Sequence, residues 1–126
     1  MSVAFSARSG LILIPAVVEG PMGRLPIRLV LDTGATSTLL SVPILQAVGY
    51  NPAGRHVRQF VSASGGSTAS LVSVSKLSAL GHDRVGLPVL AHNLPATTMA
   101  DGLLGLDFLR GGILTIDFNA GQITLR

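Results

Sequence analysis

The chain has 126 residues, 48% of them hydrophobic and 12% charged, which describes one small domain with its own core and excludes both a disordered segment and a second lobe. Its formal charge of +3 comes from nine basic residues scattered among six acidic ones, with one Tyr and four Phe to stack on, so no nucleic-acid footprint is expected. The absence of cysteine removes disulfides, a thiolate nucleophile and sulfur-ligated zinc.

In chain order, residues 11–19 and 25–31 are apolar, β-branched runs around Gly20-Pro21-Met22-Gly23, predicting an antiparallel hairpin. The first run is interrupted by Pro15 and followed by no clean cleavage site, so it reads as a strand and not as a leader peptide. Residues 42–48 then place Ile44, Leu45 and Val48 at helical spacing, with Ser41 as N-cap, Pro43 in the first turn and Gly49 as the stop. Residues 57–63 and 68–77 flank Ser64-Gly65-Gly66-Ser67 and predict a second hairpin with a polar tip. Its second strand is expected to run on to a turn at Gly81-His82-Asp83-Arg84, from which residues 85–91 return. A loop over 93–100, the apolar pair Leu103-Leu104 and a short helix over 106–110 follow. A last hairpin brackets Asn119-Ala120-Gly121. The sum is an all-β chain with two short helices and no repeat. No apolar run approaches the ~20 residues of a membrane span.

The segment Leu29-Val30-Leu31-Asp32-Thr33-Gly34-Ala35-Thr36-Ser37-Thr38 carries the chemistry. A carboxylate at the end of an apolar strand is partly desolvated and needs donors, which Thr33, Gly34 and Ala35 can supply from a hydroxyl and backbone N–H groups. By itself Asp-Thr-Gly is also ordinary turn composition. It is matched downstream, however, by Asp101-Gly102-Leu103-Leu104-Gly105-Leu106-Asp107-Phe108-Leu109. Other catalytic frames are missing. His56, His82 and His92 occur singly without metal-ligand spacing, no Gly-x-Ser-x-Gly elbow surrounds the serines, and Lys76 lacks a phosphate-loop frame.

Together the two motifs resemble the single-domain, retropepsin-like aspartic peptidases of cellular and bacterial type, over most of the chain. The resemblance implies a small, closed, β-barrel-like acid-protease lobe with a flap hairpin and one or two short helices. It implies Asp32 as the catalytic carboxylate within Asp32-Thr33-Gly34, and a cleft lined by Ala35, the flap-tip residues Ser64, Gly65 and Gly66, and Leu103 and Leu104. Gly105 would support the loop from below; Asp107 is expected to accept hydrogen bonds in the first turn of the short helix. No cofactor and no metal are implied. Many viral members carry an acidic residue and an arginine where this chain has Thr36 and Leu106, so that pairing is absent here.

Metal-free hydrolysis of a peptide bond by carboxylates needs two of them sharing one proton. This chain has a single Asp-Thr-Gly, and Asp101-Gly102 lacks the hydroxyl residue and precedes its apolar run. The expected partner is Asp32 of a second identical chain related by a twofold axis, with an acid-shifted, bell-shaped rate profile. The terminal segments 2–9 and 123–126 are candidates for the seam by resemblance. A peptide or protein substrate with apolar residues at the scissile bond is expected, and a soluble protein of cytoplasm or periplasm. A silent dimeric peptide-binding module on the same fold is the alternative.

Overall fold

The computed structural model describes residues 1–53, 57–62 and 65–126, with backbone alone over 57–62 and 65–67. Twelve strands and two short α-helices are seen among them: β1 (Ser2–Ala4), β2 (Leu13–Gly20), β3 (Gly23–Leu31), β4 (Leu39–Leu40), α1 (Val42–Ala47), β5 (Val57–Ser62), β6 (Gly65–Ser73), β7 (Lys76–Ala79), β8 (His82–Val85), β9 (Pro88–Ala91), β10 (Gly102–Leu104), α2 (Leu106–Leu109), β11 (Leu114–Asp117) and β12 (Gln122–Leu125). Nine strands form one curled, half-barrel sheet in the order β5-β6-β9-β4-β10-β3-β2-β7-β8, and β1-β12-β11 form a second.

The hairpin of β2 and β3 follows from alternation, which holds until β3 ends in three consecutive buried residues, Leu29, Val30 and Leu31. Ile14, Ala16 and Val18 on one strand and Ile27 and Leu29 on the other face the core, while Pro15, Arg24 and Arg28 face away. Residues 21–22 close it, and the Met22 amide donates to the Val48 carbonyl beyond α1 at 3.0 Å. The core they enter is aliphatic, with Leu40, Leu45, Leu77, Leu104, Phe108, Ile123 and Leu125 fully enclosed or nearly so. Its burial is the main source of stability.

Several expectations are corrected. The strand expected over 68–77 is two strands: β6 pairs with β9, β7 pairs with β2, and the chain crosses between them at Val74 and Ser75. Tyr50 holds the crossing, its hydroxyl accepting the Ser75 amide at 2.7 Å. Of the expected turn at residues 81–84, residues 82–84 instead belong to strand β8, paired with β7 at the sheet edge. The reversal occurs two residues earlier, over 79–82, with Leu80 (φ +54°) and Gly81 (φ +78°) at its centre, two consecutive positive φ angles as in a type I′ turn. Ser41 occupies the N-cap position of α1 but makes no side-chain cap; the first helical amide, Val42 N–H, donates to Asn93 Oδ1 at 2.9 Å. Neither β1 nor the two-residue β4 was anticipated as a strand.

The edge strand β8 ties the two sheets together. His82 Nε2 lies 2.8 Å from the Leu125 carbonyl. Arg84 donates from Nε (3.1 Å) and Nη2 (2.8 Å) to the Phe108 carbonyl, with its guanidinium 4.8 Å from the centre of the Phe108 ring. A planar fork that both caps the carbonyl and stacks on the ring is a role for Arg and not Lys.

Strand β10 positions the site. It runs parallel to β3 (Leu103 opposite Val30) and antiparallel to β4 (Leu103 opposite Leu39), so it lies between the two strands that the Asp32 loop connects. Asp101 stitches the three together at their far end: it exchanges backbone and side-chain bonds with Arg28, and its carbonyl accepts the Ser41 amide.

Candidate active site

Asp32 follows the last residue of β3, half-buried, and its amide donates to the Leu104 carbonyl at 3.0 Å. Its Oδ1 accepts the Gly34 amide at 2.9 Å; the described residues place no donor on Oδ2. One carboxylate oxygen is thus oriented by the loop. A Cβ on Gly34 would stand 3.2 Å from Asp32 Oδ1, so a side chain there would crowd the oriented carboxylate. Thr33 is exposed and Ala35 half-buried.

The loop is clamped from below by the start of α2. Leu106 N–H donates to the Ala35 carbonyl (2.8 Å) and Asp107 N–H to the Thr36 carbonyl (3.2 Å). Gly105 makes the approach possible: a Cβ would sit 2.7 Å from the Ser37 carbonyl carbon and 2.9 Å from the Ala35 oxygen. The Asp107 carboxylate accepts the Thr38 amide on both oxygens (2.9 and 3.0 Å), the Thr38 hydroxyl on Oδ1 (2.7 Å) and the Phe108 amide on Oδ1 (2.8 Å). Thr38 is fully buried, and its oxygen also accepts the Gly105 amide. Thr38 was not singled out from the sequence; the only signal was a hydroxyl residue at the end of a polar run.

Of the expected cleft residues, Leu104 is corrected: its side chain is fully enclosed in the core and cannot face a ligand. Its neighbour Leu103 points the other way, as strand alternation requires, and packs half-buried beside Leu39 and Leu90. Gly65 and Gly66 lie in β6, opposite Ser62 and Val61 of β5. Ser64 lies outside the described residues. The β5–β6 hairpin is rooted through β9 on β4, the strand that the Asp32 loop enters. His56 also lies outside the described residues. Among those described, no group of three or more His, Asp or Glu side chains could hold a metal ion, and no helix is long and apolar enough to cross a membrane.

This arrangement has counterparts among known proteins. A retropepsin-like aspartic protease from Rickettsia conorii superposes with a TM-score of 0.72 at 21% identity, over 99% of this chain and 88% of that one. The likeness is one of fold. No curated protein matches the sequence. The family model described as aspartyl protease matches residues 14–108, from the first core residue of β2 through the Asp32 loop to α2. The fold is therefore retropepsin-like, and the chain belongs to the aspartyl protease family.

Proposed function

We propose that this protein is an aspartic endopeptidase active as a homodimer, in which Asp32 of each protomer contributes one carboxylate. The observation that carries the reading is the state of Asp32: Oδ1 is oriented by the Gly34 amide, while Oδ2 has no donor among the described residues. A carboxylate so presented can meet its twofold copy, with the exposed Thr33 beside it at the junction.

Two carboxyls a few ångströms apart hold a single proton, since like charges that close do not both ionise. The ionised one takes a proton from water as the oxygen attacks the peptide carbonyl. The protonated one donates to the carbonyl oxygen, and the tetrahedral adduct collapses as the leaving nitrogen receives a proton from the dyad. The flap hairpin and Leu103 supply the proposed cleft, with apolar residues favoured at the scissile bond.

The test combines solution mass with turnover. Light scattering should give a dimer, and a peptide library at pH 4 to 7 should be cut in a manner blocked by a statine-type inhibitor. Asp32→Asn should keep the dimer and lose at least 10²-fold in rate. A stable dimer that binds these peptides without cutting them would establish the peptide-binding module instead.

A further inference from the structure

The outer face of the β2–β3 hairpin carries a groove of about 380 Å³ that the proposed chemistry does not use. It is lined by Phe5, Leu11, Leu13 and Pro15, with Arg28 as its charged side chain, and the small residues of the amino-terminal segment form the remaining wall. Register fixes its direction. Leu13 lies opposite Val30 and Pro15 opposite Arg28, and the Ile12 carbonyl accepts the Leu31 amide. Continuing this register by one residue past Ile12 puts Leu11 across from Asp32, which does not itself line the groove, and Arg28 lies four residues back along β3. At ~3.3 Å per residue that is about 13 Å, the span of about four residues of an extended peptide.

Arg28 is exposed, and the one ion pair among the described residues is Lys76 with Glu19. Asp101, whose Oδ2 accepts the backbone amide of Arg28, makes no ion pair with its guanidinium. A cation stands at one end of an apolar trough whose other end, at Leu11, continues in register toward Asp32, and among the described residues no carboxylate pairs with it.

We propose that this groove receives an acidic side chain of a bound extended peptide, its carboxylate meeting the Arg28 guanidinium and its neighbours lying on Leu11, Leu13 and Phe5. Arg28 is then a specificity-determining residue for Asp or Glu within about four residues of the scissile bond. This inference rests on the peptidase reading, which concerns Asp32 and not the groove.

The test is a set of peptides with an apolar–apolar central pair and Glu or Gln at each of four positions on either side. The readout is the Glu-to-Gln ratio of kcat/KM within each protein, so a general loss of activity does not enter it. In the native chain the ratio should be about threefold to tenfold at one position and shrink as salt rises. Arg28→Gln should bring it to about one, and Arg28→Glu should invert it. The same ratio is read as relative Kd by fluorescence anisotropy with Asp32→Asn, so it is measured even if the native chain cuts nothing. In that case the peptidase reading fails and the groove is still judged. A ratio near one throughout the native scan, or one that survives Arg28→Gln, overturns the proposal. So does dissociation of the dimer by Arg28→Gln with the ratio unchanged, which would make Arg28 a seam contact.

Discussion

The buried hydroxyl of Thr38 donates to Asp107 Oδ1 at 2.7 Å, across 69 positions of sequence, while its amide donates to both oxygens of the same carboxylate. The pair joins the exit of the Asp32 loop to the first turn of α2. Asp107→Ala leaves the Thr38 amide and hydroxyl without their acceptor, while the Phe108 amide keeps only the Gly105 carbonyl at 3.2 Å, and should lower unfolding free energy by about 3 kcal/mol. Asp107→Asn keeps one acceptor oxygen and should cost about half as much. Thr38→Val should cost about 2 kcal/mol, and the double variant less than the sum, because both members serve one network. Urea titrations measure all four; a loss under about 0.5 kcal/mol for Asp107→Ala contradicts the role.

Gly105 gives a steric prediction. With Cβ contacts of 2.7–2.9 Å against the backbone of Ala35 and Ser37, Gly105→Ala must push the Asp32 loop away from α2. The expected cost is about 2 kcal/mol or more. Amide exchange should rise at Leu106 and Asp107, whose N–H groups reach that loop, and stay unchanged in the β11–β12 hairpin. Equal protection of Leu106 in both proteins would show that the loop had not moved.

Leu80 and Met99 share a left-handed backbone, φ +54° and +53°, but not an environment. Met99 is 80% exposed and has little burial to lose, so Met99→Asn should relieve strain and raise stability by roughly 0.5–1 kcal/mol. Leu80 is 2% exposed. There the same relief is outweighed by loss of a core side chain worth about 1.5–3 kcal/mol, and Leu80→Asn should destabilise. Opposite shifts in melting temperature are expected; shifts of the same sign would contradict the reasoning.

These residues also show what the sequence could convey. The β2–β3 and β11–β12 hairpins were legible because alternation and turn residues are local signals, and Asp-Thr-Gly stood out because it followed such a strand. The break at Val74 and Ser75 was not legible. The apolar run continues through it, and what divides it is a tyrosine hydroxyl from residue 50. Strand β8 looked like a turn because His82, Asp83 and Arg84 are polar, as an edge strand tends to be. The cap on α1 comes from Asn93, 51 positions away. Thr38 looked like one hydroxyl among several until Asp107 was placed against it.

The placement of β10 between β3 and β4 has a temporal consequence. Both strands flanking the Asp32 loop are made before their shared neighbour, which follows only after β5 to β9. Parallel pairing of β10 with β3, like that of β4 with β9, closes a long span of chain and is entropically slow. A nascent chain that has not yet reached Gly102–Leu104 and the start of α2 has no floor under Asp32. The order of synthesis thus withholds the supported Asp32 loop until β10 and the start of α2 have been made.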